Sequence, residues 1–446
     1  MKKKFLSLTT LTLLQIIIVA NLQPLSANAI YGFSLPFLYA IAAIGFFIPC
    51  IIMVSTLATS HPQTGGAYIW VELAFGKKWG FFTVTLLWIS NLLWYPSIFS
   101  LIAANAAYIV DPSIATHKVF IMSVAVGLFW LITLLNCLGI EISAKLSTLS
   151  ALFGILLPML LIIGCGIYWG LSGQAFAISL KDTPLIPDLH HFNNLGFIIA
   201  VTVCFFGIEI PAVHAGNVMN PKQNFPKSVW ISGALILCLT LAATLSIAII
   251  VPAAKLSVIT GLLDAIALFF NAFHGGAWLS VIFLLIFIGN MGSVMAWMLG
   301  STRGMFVACN HNHVSTFLQK INRNESPIGV LVFEAMLFTL AMLVFLILPK
   351  VSDSFWLLLV VASQVTLIYY IILFVSAIKL GMRSFLFWIL MSLGILTSLV
   401  SLGFGFIPPP DLAPAQITVF HEILLGGIAF SITLPFLLLQ FRRNLA

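Results

Sequence analysis

Two acids stand where an acid is costly. Glu209 lies in GIEIP (Gly207 to Pro211), at the end of an apolar run that begins near Leu195, and Glu334 lies in FEAML inside another apolar run. A carboxylate in the middle of a hydrocarbon layer costs about 2.5 to 3.5 kcal/mol even on the most lenient insertion scale, so an acid there marks a functional site by default. The ordinary alternative is a carboxyl that is protonated, or satisfied by a neighbouring hydroxyl, and only fixes helix packing. His214 comes shortly after Glu209; its imidazole titrates near neutral pH, and it either couples to Glu209 or sits at a membrane interface.

Other reactive side chains form no recognisable constellation. His190-His191 and His311-x-His313 fall in connecting segments without further ligands at suitable spacing, so no metal site is expected. Cys50, Cys137, Cys165, Cys204, Cys238 and Cys309 show neither CxxC nor Cys/His spacing and read as small core residues. With no Ser/His/Asp arrangement, phosphate loop or HExxH element, neither an enzyme nor a bound cofactor is expected.

Hydrophobic residues make up 61% of the 446 and charged residues only 7%, against about 25% charged in a soluble domain. The chain therefore reads as an all-α polytopic membrane protein, with nothing left over for a sizeable soluble domain. Apolar runs between charged or Pro/Gly/Asn breaks predict about twelve spans, at roughly 6–29, 33–58, 79–110, 118–138, 145–170, 194–216, 228–252, 277–308, 328–348, 354–377, 384–407 and 418–440. The net charge of +7 is scattered through short loops, which argues against nucleic acid as a partner. Of the 19 Lys and Arg residues, only Lys118, Lys181, Lys255 and Lys350 fall on the side opposite the N-terminus. That bias places both termini on the cytoplasmic side of the cell (inner) membrane. MKKK, an apolar stretch and PLSANA (Pro24 to Ala29) also have the outline of a signal peptide, but the apolar part is long for one and its interruption recurs later, so the first span is read as retained.

That interruption is ANLQP (Ala20 to Pro24), and its counterpart in the sixth span is GIEIP. Proline cannot take the helical bond, so Pro24 frees the Ala20 carbonyl and Pro211 frees that of Gly207. Spans one and six are equivalent if 6–170 and 194–377 are two five-span repeats, the second inverted, followed by two peripheral helices in 384–440. Paired breaks at corresponding positions point to a midplane binding site. Glu209, just before Pro211, would stand at the positive end of a half-helix, and the freed groups could hold a zwitterion. The expected site is Ile18, Val19, Ala20, Asn21 and Gln23 with Cys204, Phe205, Phe206, Gly207, Ile208 and Glu209.

Three further stretches carry a resemblance. PQTGGAYIWVELAFGKKWGF (Pro62 to Phe81) follows span two, NPKQNFPKS (Asn220 to Ser228) follows span six, and GSTRGMFVACNHNHVSTFLQKINRNESP (Gly300 to Pro327) closes span eight. Together with GIE, these four elements, in this order, resemble the amino acid–polyamine–organocation transporters, and among them the glutamate/GABA antiporter branch. The resemblance implies a leucine-transporter-like fold with broken helices one and six, and alternating-access transport of amino acids or decarboxylated amines, with Glu209 at the transport site and gate. This chain departs from relatives whose first break is glycine-rich: here it is IIVANLQP, where Asn21 and Gln23 offer side-chain donors. Span five reads SALFGILLPML, without the lysine of some proton-coupled relatives, which favours exchange over proton symport. No C-terminal plug is expected, because little follows Arg442 and Arg443.

Trp94-Tyr95-Pro96 is read as an interruption of span three that either walls the cavity or packs in the core. Ser363 and Gln364 in span ten either face the cavity or bond to neighbouring helices. The reading is a secondary amino acid exchanger for a small-molecule substrate, with a proton-coupled symporter or a transporter-fold receptor as the other candidates.

Overall fold

The computed structural model describes residues 6–115, 117–181, 183–187, 201–257, 260–343, 351–381, 384–408 and 414–440. Among them, 9 helices are long and apolar enough to cross a membrane, and a bent pair brings the number to 10. Two expected spans are only partly covered, since 188–200 and 344–350 lie outside the described residues. His190 and His191 lie outside them as well.

The bent pair is the first span. Ser7 opens α1 (Leu8–Val19) by accepting the Thr10 N–H at 3.2 Å. Past Val19, Asn21 Oδ1 accepts the Gln23 N–H at 3.0 Å, a local bond that competes with the helical ladder. The chain restarts as α2 (Gln23–Ala29) with Pro24 in its first turn, where a missing N–H loses nothing, and the two segments bend by 52°.

Next come α3 (Gly32–Ser60), α4 (Ala67–Phe75) and α5 (Lys77–Val110). Within α3, Ala43–Phe47 is a π-helical turn. Short α4 lies within Pro62 to Phe81, between the second and third expected spans. The expected interruption of span three does not occur, because Pro96 sits within a continuous α5. Around it the Ser97 hydroxyl donates to the Trp94 carbonyl and the Ser100 hydroxyl to the Pro96 carbonyl, each at 2.7 Å, so both side chains fold back onto their own helix.

Two more helices, α6 (Lys118–Asn136) and α7 (140–171), precede the sixth span. There Cys204 to Glu209 form turns, and Ile210–Asn217 is a 3₁₀ helix. The second break thus falls at GIEIP, but the half-helix after it is 3₁₀ rather than α. In α8 (Pro221–Ile250), Pro221 occupies the first turn, so most of NPKQNFPKS is helical. A further helix, α9 (Gly261–Ala272), precedes α10 (Gly276–Asn312). The chain closes with α11 (Ile328–Ala341), α12 (Val351–Leu380), α13 (Phe385–Phe404) and α14 (Pro414–Gln440).

At the centre, α10 packs along α5 and α7, α12 lies on α5, and α1 is held between α8 and α10. The α7–α10 contact is so close that Gly154 and Gly289 meet backbone to backbone, a geometry only glycine permits. Outward faces of α13 and α14 present Phe385, Trp388, Phe430 and Phe436, as a hydrocarbon-facing surface requires. Not every cysteine is a core residue: Cys50, Cys165, Cys204 and Cys309 are buried, whereas Cys137 is half-buried and Cys238 is exposed.

Candidate functional site

The two breaks meet across α10 and α12. Gly207 has φ +104°, a backbone state that side-chain-bearing residues rarely adopt, and this turn aims the next residues at α12. Glu209 takes the N-cap position of the 3₁₀ helix but makes no capping bond there. Its carboxylate instead accepts the Tyr369 hydroxyl on Oε1 at 3.1 Å and the Tyr370 hydroxyl on Oε2 at 2.6 Å. The Tyr370 hydroxyl also accepts the Gly207 N–H at 2.7 Å, so one phenol ties the turn to the acid. Glu209 does stand at the start of a helical segment, and two phenols add to whatever that helix end supplies.

An aromatic wall surrounds this carboxyl. Phe46, carried by the π turn of α3, stands edge-on to Tyr370 at 4.9 Å and to Phe206 at 5.5 Å. A π turn re-aims side chains by inserting one extra residue, and such turns recur at functional sites.

The first break is held from α10 and α5. Trp297 donates its indole N–H to the Ile18 carbonyl at 2.7 Å, and Ser293 donates to the Ile17 carbonyl at 3.2 Å. Trp94 donates its indole N–H to Gln23 Oε1 at 2.9 Å and stacks obliquely near Trp297, with centroids 5.4 Å apart. Gln23 Nε2 stays buried without a hydrogen-bond partner. Asn28 Nδ2 donates to Cys204 Sγ at 3.0 Å, joining α2 to the start of the second break.

Ile18, Val19, Ala20, Gln23, Cys204, Phe205, Phe206, Gly207, Ile208 and Glu209 are all buried, and Asn21 is half-buried. Toward the N-terminal end of α1, Leu6 pairs with the strand-like stretch at Val218, and the Gly65 N–H donates to the Val213 carbonyl at 3.1 Å. Toward the far end of α2, the Phe33 N–H donates to Thr183 Oγ1 at 3.2 Å, and α9 packs on α2. Among the described residues, contacts thus bridge both ends of the paired breaks.

Four candidates are not brought to the carboxyl. Tyr95 turns away from its neighbour Trp94 and packs on Phe129 at 5.3 Å. Ser363 donates to the Leu359 carbonyl of its own helix at 2.7 Å, two turns before Tyr370 on the same face. Gln364 packs on Gly405, and neither polar atom of its amide makes a hydrogen bond. His214 lines a small cavity of about 20 Å³ with Ile18, Ser147 and Ile210, room for about one water. Phe46, Trp297, Tyr369 and Tyr370 were missed, since aromatics in apolar helices carry no mark separating a site from a core. Among the described residues no group of three or more His, Cys, Asp and Glu could hold a metal, and His311 instead meets Glu72, its Nδ1 3.2 Å from Oε2.

The family profile described as amino acid permease matches residues 4–429. The chain belongs to the amino acid permease family. This permease is 35% identical over 448 residues to an uncharacterized transporter of Legionella pneumophila, covering 98% of this chain and 96% of that one. It is 24% identical over 431 residues to the glutamate/gamma-aminobutyrate antiporter of Lactococcus lactis, covering 91% and 84% of the two. Against a probable agmatine/putrescine antiporter of the same species it is 25% identical over 365 residues, covering 80% and 75%. The permease is thus a multi-pass membrane transporter of amino acids or amines in the superfamily that its motifs resemble.

Proposed function

We propose that this permease is an amino acid or amine exchanger working by alternating access, with Glu209 receiving the substrate's ammonium group. One observation carries the reading. The buried Glu209 carboxyl has two phenol donors and no Lys, Arg or His at ion-pair distance among the described residues. A buried carboxylate needs a cationic complement, and a substrate ammonium supplies one. Gln23, oriented by Trp94, presents an unpartnered Nε2 as donor for the acidic or polar end of the same substrate. Two of the named relatives carry antiporter names for compounds that all have an amino or guanidino group, which agrees with an acid at the centre of the site.

In this reading 6–170 and 194–377 are the inverted repeats, and α13 and α14 are peripheral. The termini face the cytoplasm across the inner membrane, so parting Leu6 from Val218 and Gly65 from Val213 opens the cytoplasmic path. Release of α9 from α2 opens the other.

Uptake of labelled amino acids and amines into proteoliposomes tests it. Entry stimulated by unlabelled substrate inside, without an ion gradient, is the expected result. Dependence on an imposed proton gradient alone would make the permease a symporter, and binding without flux would make it a receptor. Glu209→Gln keeps the shape but not the charge and should abolish exchange; normal exchange by a folded Glu209→Gln protein would remove the acid from the mechanism.

A further inference from the structure

Glu334 lies on α11, which packs against α5, α6 and α10, and it is 0% exposed. Neither carboxyl oxygen has a partner in hydrogen-bond geometry, and the Tyr95 hydroxyl has none either, although the two groups are close enough to interact. Buried polar groups that serve packing are ordinarily held in well-formed hydrogen bonds, and this one is not. An ionised carboxylate in such surroundings would lose its hydration without compensation.

The Tyr95 hydroxyl approaches it from α5, with the Ser301 hydroxyl of α10 near Tyr95, and one turn along α11 the Phe338 ring stacks at 4.0 Å on Phe129 of α6. Tyr95 is the one titratable group among the described residues that interacts with it, and no charged group does. The same two helices serve the substrate site. Next to Tyr95, Trp94 holds Gln23, and on α10, one turn before Ser301, Trp297 holds the Ile18 carbonyl. A movement of the first break therefore pulls on the residues that enclose Glu334.

We propose that Glu334 is a second functional acid of the permease, a proton-binding group whose loading is coupled to the Glu209 site through Tyr95 and Trp94. When α1 and α2 shift to open the site, Trp94 and Tyr95 shift with them, the seal around Glu334 loosens, and the carboxyl exchanges its proton with water. The coupling rests on the transport reading, whereas proton binding by Glu334 does not.

Infrared difference spectroscopy and exchange assays at several pH values, on wild type, Glu334→Gln and Tyr95→Phe, separate the two. Wild type should show a protonated-carboxyl carbonyl band that responds to substrate and pH and that Glu334→Gln lacks. A single obligatory protonation changes the exchange rate by up to about tenfold per pH unit, and Glu334→Gln should reduce that slope to less than about twofold. Tyr95→Phe should displace the band and the midpoint of the profile, and it serves as the test if Glu334→Gln fails to fold. A band and a pH profile unchanged in the variants would overturn the proposal. If wild type exchanges nothing, the transport reading fails and the infrared band alone decides whether Glu334 binds a proton.

Discussion

Replacing Gly207 by alanine tests the way the two breaks are joined. A Cβ on Gly207 would stand 2.6 Å from Trp297 Cζ2 and 2.9 Å from Ile18 Cγ2. Carbon atoms pack at about 3.5 Å or more, so the indole must retreat by about 0.9 Å. Such a retreat takes its N–H from 2.7 Å to about 3.6 Å from the Ile18 carbonyl, where a hydrogen bond no longer exists. Lost bonding contributes about 1 kcal/mol, the left-handed backbone of a non-glycine residue about 1, and crowding about 1 at the least. A total near 3 kcal/mol against this joining of the two breaks predicts exchange about 100-fold slower than wild type. Gly127→Ala is the matched control. Gly127 lies inside α6 with nothing within 4 Å of its would-be Cβ, so alanine there should be neutral or stabilising by up to about 1 kcal/mol. Counterflow in proteoliposomes and thermal melting in detergent read both effects. Exchange by Gly207→Ala within about threefold of wild type would refute the argument that Gly207, Trp297 and Ile18 form one closure.

Two further substitutions probe the same contacts. Tyr370→Phe removes the donor to Glu209 Oε2 and the acceptor of the Gly207 N–H, leaving those two buried atoms unsatisfied while Tyr369 still donates to Oε1; a loss of about 2 to 4 kcal/mol is expected, read as a fall of at least about 30-fold in exchange with the melting temperature also lowered. Trp297→Phe keeps most of the aromatic volume and loses the bond to the Ile18 carbonyl, so exchange should fall by about fivefold, equivalent to about 1 kcal/mol.

The breaks were legible in the sequence because proline and polar residues inside an apolar run have few physical excuses. Pro24 and Pro211 do stand in the first turns of new helical segments. Pro96 carries the same local signal and was misread, because a proline alone does not break a membrane helix that other helices pack around. Ser363 and Gln364 were read as either facing the cavity or bonding to neighbouring helices, yet the hydroxyls that reach Glu209 belong to Tyr369 and Tyr370 further along the same helix. Tyrosine is both apolar body and polar tip, so its sequence context does not say which end is in use.

By itself the sequence determined that this chain lives in a membrane, where its helices break, and that an acid stands at the second break. Those properties follow from the local cost of leaving polar groups in hydrocarbon, which each segment carries wherever it ends up. Only the tertiary structure decided what satisfies the acid, which indole holds which carbonyl, and that Trp94 and Tyr95 face opposite sites. Partners hundreds of residues apart in sequence are chosen by how helices pack, and a side chain 100° further round a helix meets a different neighbour altogether.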